Sequence, residues 1–377
     1  MSHVRRAVAC IVTLTAALFV FALPAGSVPP ASVTSAGAAV AWLKTQQVVD
    51  GGFEHTSFPG FETLDATIAI AEDAQTGGTW NQTEAKAAVE AVQFGGAGAN
   101  PFDAIDAYAQ TIPTLGALTT GTAAKNIVLG AAPYGFDATA FDPANNGTPV
   151  DLVALMGGCS ATGGTTFNFT LYIALAQSLV CGAPSAVALQ TVRNAQQANG
   201  GWGFNGDSTA TDIDFDTTAL AIEALVAGGA TAADPAVHAA LAFIATNQQA
   251  DGAWQFFGSD DPNSTATAIL GLTAAGYDVE SPCWRDTADP SLAGTPYASP
   301  TAWLVSQQNG DGHIDSPNDA FPPINTFATS QSVEALLQSW LPIARATAQT
   351  CATPITPVTP VTPIVPVALD VSPRFTG

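Results

Sequence analysis

Gln196 to Trp202 reads QQANGGW and Gln248 to Trp254 reads QQADGAW, and these two stretches decide the fold. Gln47 to Phe53 (QVVDGGF) and Gln308 to Ile314 (QNGDGHI) bring the set to four, all fitting Gln-x-x-x-Gly-x-(Trp, Phe or Ile). A short apolar helical run precedes each one: Trp42-Leu43, Val192 with Ala195, Phe243-Ile244 and Trp303-Leu304. Each Gln-to-Gly segment is therefore the end of a helix, with Gly taking the left-handed conformation that terminates it.

A second pattern follows. Asp65-Ala66-Thr67, Asp216-Thr217-Thr218 and Asn263-Ser264-Thr265 open Ala-rich apolar runs, and Phe327-Ala328-Thr329 opens another. Asn168-Phe169-Thr170 opens a fifth run and Asp103 a weaker sixth. An Asp or Asn before such a run is expected to be a helix N-cap, accepting from the exposed backbone N–H groups. These second helices are apolar nearly all round and should be buried, while the first helices, with Lys44 and Arg193, face solvent.

From Trp202 to Trp254 the step is 52 residues, and from Trp254 to Ile314 it is 60. The 149 residues between Phe53 and Trp202 are nearly three steps, so two degenerate units belong there, with Gly-rich remnants at 93–102 and 157–167. Six helical hairpins between about residues 35 and 350 are enough to close an all-α ring of inner and outer helices. An open solenoid would leave apolar inner faces bare and need polar caps that the sequence does not supply.

The ends and the charges bound the function. Arg5 and Arg6, the apolar stretch Val8 to Leu23 and the small residues Ala25 to Ser27 give residues 1–30 the form of a signal peptide, so the protein is expected to be secreted or at the cell surface. Residues 353–377 are a Pro/Thr-rich tail, whose TPITPVTPVTPIVPV run favours an extended spacer. The net charge of −22 makes nucleic acid and membrane surfaces poor partners. Outside the signal, Cys159, Cys181, Cys283 and Cys351 form an even set, read as disulfides Cys159–Cys181 and Cys283–Cys351. No C-x-x-C occurs and His is scarce, so no metal site and no cofactor are expected; Asn309 to Asp315 only partly matches a calcium loop.

Gln196 to Trp202 and Gln248 to Trp254 resemble the Gln/Trp repeat of squalene and oxidosqualene cyclases and their relatives. Those relatives form a superfamily of α/α toroids that includes class II terpene cyclases, protein prenyltransferase β subunits and cobalamin carriers. The resemblance implies an α/α toroid with a ligand cavity at its axis. It leaves function open, because the scaffold serves both enzymes and carriers.

Asp212 to Ala219 (DIDFDTTA) resembles the D-x-D-D-T-A motif of terpene cyclases. On that motif Asp214 is the first Asp and Asp216 the proton donor, while Thr217 stands where the last Asp belongs. Asp216 thus reads first as a repeat N-cap and second as a catalytic acid with Asp214 beside it. Trp202, Trp254 and Phe215 are the ligand-contact candidates, although Trp202 and Trp254, recurring once per unit, read first as wedges between repeats. No Asp-x-Cys occurs, which argues against a zinc prenyltransferase. The favoured function is a secreted binding domain holding an apolar or macrocyclic ligand, isoprenoid or corrinoid-like, at the axis. The alternatives are a terpene cyclase-like or mutase-like isomerase using Asp216, and a purely structural surface domain.

Overall fold

The structure, a computed structural model, describes residues 28–55, 60–75, 79–212, 214–318, 324–341 and 344–345. Most of the expected signal peptide, the Pro/Thr tail and Cys351 lie outside the described residues. Among those described there are fourteen α-helices. In chain order they are α1 (Pro30–Thr45), α2 (Glu62–Asp73), α3 (Gln82–Glu90), α4 (Pro101–Ala109), α5 (Thr119–Asn126), α6 (Leu152–Met156) and α7 (Phe167–Val180). They continue with α8 (Ala186–Asn194), α9 (Phe215–Ala227), α10 (Pro235–Asn247), α11 (Pro262–Ala274), α12 (Cys283–Ala288), α13 (Pro300–Gln307) and α14 (Thr326–Leu336). Among the described residues, strand content is confined to two-residue strands such as Gln255–Phe256 paired with Ser259–Asp260.

Six of these helices make an inner ring. Along it α5 packs on α7, α7 on α9, α9 on α11, α11 on α14 and α14 on α2. The last gap, between α2 and α5, is closed by an ion pair from Lys125 Nζ to Asp65 Oδ2 at 3.3 Å. An outer helix or pair of helices precedes each inner one: α1, α3 with α4, α6, α8, α10, and α12 with α13. The inner helices are buried on almost every side, as their composition requires; in α11 all thirteen residues are buried. The architecture is an α/α toroid of six hairpins.

The Gln-to-Gly motif is the seam between units. Gln196 Nε2 donates to Gly200 O at 2.7 Å within its own turn and to Ala236 O at 2.7 Å, at the start of α10 in the next unit. Gln308 repeats this at the final seam, donating to Gly312 O at 2.7 Å and to Ser35 O of α1 at 2.8 Å, so the last unit is tied to the first. Glycine is required in the turn for two reasons. Gly200 has φ +95° and Gly312 φ +107°, and a Cβ would stand 2.3 Å from Ala239 O or 2.4 Å from Ala38 O. Conformation and close approach exclude a side chain together.

Trp202 and Trp254 are fully buried wedges whose indole Nε1 donates to Val192 O (2.7 Å) and Ile244 O (2.9 Å). Cys159 is bonded to Cys181, with 5.7 Å between their Cα atoms, as expected. Cys283 is also disulfide-bonded.

Three expectations are corrected. The helix near Asp103, α4, packs on α2 and α3 in the outer layer, and its N-cap is Asn100. The sixth inner helix is α5, which was missed because it follows Leu118 with no side-chain cap to announce it. The caps of α7, α9, α11 and α14 lie two residues upstream of the expected positions, at Thr166, Asp214, Asp261 and Asn325, while α2 starts after Phe61, four residues before Asp65, with no side-chain cap. Asp216 is thus a first-turn residue of α9 and does not cap it, because Asp214 already accepts from Thr217 N at 2.9 Å.

Candidate functional site

One interaction sets the register of the inner helices. The backbone N–H at the aromatic position of each motif donates to a Thr hydroxyl: Phe53 to Thr63 (2.9 Å), Trp202 to Thr218 (2.9 Å), Trp254 to Thr265 (3.0 Å) and Ile314 to Thr329 (3.1 Å). Gly164 donates to Thr170 in the same way at 3.1 Å, which makes 157–167 a true remnant of the motif. The repeat position in α2 is therefore Thr63 and not Thr67, and Asp65 sits one helical turn deeper than its expected counterpart, Asp216.

With the Thr fixed, the positions two before, two after and five after it fall on one face, since they are spaced by four and then three residues. That face points at the axis of the ring. It lines a cavity of about 400 Å³ with Phe61, Asn168, Asp216 and Phe327 in the first tier, Asp65, Tyr172, Leu220, Thr267 and Gln331 in the second, and Glu223, Leu270 and Glu334 in the third. Lys125 of α5, Phe169, Phe204, Asp214, Thr217, Ala219 and Leu341 complete the wall. Phe61, Phe327 and Tyr172 supply aromatic rings to the first two tiers, and Phe61 and Phe327 pack with centroids 4.5 Å apart.

Of the residues singled out from the sequence, Asp214 and Asp216 reach this cavity and Trp202, Trp254 and Phe215 do not. Phe215 is buried against Phe243 and Trp254 at ring centroid distances of 5.5 and 6.4 Å. Asp214 Oδ2 accepts from Thr217 Oγ1 at 2.8 Å in addition to its capping bond, and burial raises its carboxyl above the ordinary range. Asp216 is exposed, and its Oδ1 accepts from Thr267 Oγ1 of the neighbouring helix at 2.7 Å.

The third tier and its surroundings carry groups that the sequence did not flag. Burial pushes the Glu223 carboxyl up to about 8; its one backbone donor, Leu341 N, is 3.4 Å away. Glu334 is raised well above a glutamate's usual value by burial and by its neighbours Glu72, Asp65 and Glu223, with Lys125 opposing. Asp65 is raised by burial in spite of Lys125. The cavity is thus a chamber in which burial disfavours the charged forms of Glu223 and Glu334 and Asp65 is ion-paired to Lys125. Such a chamber can hold an apolar body and present polar atoms to one end of it. Glu223 and Glu334 share one signal, a place five residues after the repeat Thr, and it points to the axis once the bonds of Thr218 and Thr329 are known.

Solved structures similar to this chain include the type II terpene cyclase MstE from Scytonema, at 16% identity and a TM-score of 0.52, over 81% of this chain and 97% of that one. A variant of that cyclase in complex with its substrate, geranylgeranyl dihydroxybenzoate, is similar at 17% identity and TM-score 0.53, covering 82% of this chain and 97% of the other. A second variant, in complex with the product merosterolic acid A, is similar at 17% identity and TM-score 0.51, covering 82% and 96%. No protein-family model and no curated protein matches the sequence. At these identities the likeness shows the fold, a terpene cyclase-like toroid.

Proposed function

We propose that the chain is a secreted toroid domain that holds an apolar small molecule of isoprenoid type in the cavity at its axis. The observation that carries this is the cavity itself, whose upper walls are Phe61, Phe169, Tyr172, Leu220 and Phe327, contributed by α7, α9, α14 and the turn leading into α2. Removing apolar ligand surface from water here is worth roughly 25 cal/mol per Å² before the costs of association. At about 400 Å³ the cavity lies near the small end of the roughly 300–1,000 Å³ typical of ligand pockets. That favours an isoprenoid chain over a corrinoid-sized macrocycle. Secretion rests on the signal-like residues 1–30, and N-terminal sequencing of the exported protein tests it.

Calorimetric titration with farnesol tests the binding reading. Leu270 is 6% exposed and lines the third tier, so Leu270→Trp fills the cavity from its wall. Farnesol is expected to bind the wild type and to lose at least about tenfold in affinity to Leu270→Trp. Equal affinity in both proteins would place the ligand elsewhere.

A second reading, a terpene cyclase-like enzyme, is supported by Asp214 and Asp216 both facing the cavity. In it Asp216, held by Thr267, protonates an alkene or epoxide. Cyclised product formed by the wild type and lost in Asp216→Asn would establish that reading over the carrier.

A further inference from the structure

We infer that the floor of the axial cavity is a subsite for the protonated amine of an apolar ligand, whose N–H groups donate to Glu334 Oε1 and Gln331 Oε1. The inference rests on the axial cavity being the ligand site. Glu334 is only 4% exposed and lines the cavity, yet its Oε1 has no hydrogen-bond partner among the described residues. Gln331 Oε1, one turn away on the same face, is likewise buried without a partner. Leaving a buried acceptor unmet costs about 1–3 kcal/mol, so two of them at one spot call for a donor from outside the chain.

Three donors on the cavity wall are already engaged. Lys125 is bound to Asp65, Thr267 Oγ1 to Asp216, and Thr217 Oγ1 to Asp214. Charge points the same way. Glu334 is faced by Glu72 and Asp65 of α2 and Glu223 of α9, with Lys125 of α5 the one cation opposing them, so the region lacks positive charge. A neutral alcohol offers one O–H and no charge, whereas an ammonium offers up to three N–H groups and supplies the missing cation. The rings above can also receive it, since Lys125 Nζ already stands 5.1 Å from the Phe61 centroid and 5.9 Å from that of Tyr172.

Paired titrations of the full chain with farnesylamine and farnesol, identical in their apolar part, separate the head group from the tail. At pH 7 the amine is expected to bind at least about tenfold more tightly than the alcohol. In Glu334→Gln the amine-to-alcohol ratio should fall to within about threefold, and Glu223→Gln, which removes a neighbouring carboxyl that acts on Glu334, serves if the first variant does not fold. Farnesol binding as tightly as the amine would overturn the inference and leave the apolar cavity reading standing. If neither probe binds, both fall.

Discussion

At the seams between units a Gln amide, a left-handed Gly and a buried aromatic or Ile recur with little change, and at the axis almost nothing recurs. Each seam Gln donates both to its own turn and to the next unit, from Gln47 on Gly51 and Ala99 to Gln308 on Gly312 and Ser35. At the axis, the position two after the repeat Thr is Asp65, Tyr172, Leu220, Thr267 or Gln331 according to the unit. Identical seams close a ring from unequal units, and the variation that they tolerate is concentrated on the one face with no packing partner. The repeat therefore specifies the fold, and departures from it specify the site.

The seam side of this contrast gives the largest expected effect. Trp254 is fully buried against Trp284 and Phe215, and Trp254→Ala should cost roughly 3–5 kcal/mol of unfolding free energy by chemical denaturation. A loss below about 1 kcal/mol would mean that the wedge is not what holds adjacent units together.

The axis should show itself in pH dependence. Folding raises Glu223 from its ordinary value of 4.5 to about 8, so its contribution to stability is complete below pH 4.5 and is lost as pH rises to about 8. The expected slope is about −1.4 kcal/mol per pH unit in that window, with Glu334 acting in the same direction. Denaturation of Glu223→Gln across pH 5 to 9 should show a shallower fall than the wild type. Parallel curves would mean that Glu223 is solvated in the folded protein.

The smallest effects separate two neighbouring carboxylates. Asp214→Ala removes the cap of α9 and should cost about 1 kcal/mol. Asp216→Asn keeps an acceptor for Thr267 Oγ1 and should change stability by less than about 0.5 kcal/mol. The reverse order of effects would return the capping role to Asp216.

The same two regions explain what could be read from the sequence. The ring was legible because Gln, Gly and Trp recur in the order that a helix end and an inter-unit wedge demand. The helix α5 was not, since it starts after Leu118 with no capping side chain. Asp216 was legible as a residue of the site through the D-x-D resemblance, but its role as a cap was misplaced by two residues, because Asp214 and Asp216 are equally good caps in composition and only the backbone decides between them. Glu223 and Glu334 look like ordinary helix glutamates in the sequence. Only the Trp202 to Thr218 and Ile314 to Thr329 hydrogen bonds, which fix how each helix is rotated, turn them to the axis.

A crystal structure of the full chain grown with farnesylamine tests the central claim most directly, because the protein has a second cavity to compare with the first. The ligand is expected in the axial cavity, its tail against Phe61, Tyr172 and Leu270 and its nitrogen beside Glu334. Density instead in the outer cavity of about 530 Å³ lined by Phe136, Val153 and Leu179, with the axis empty, would contradict it.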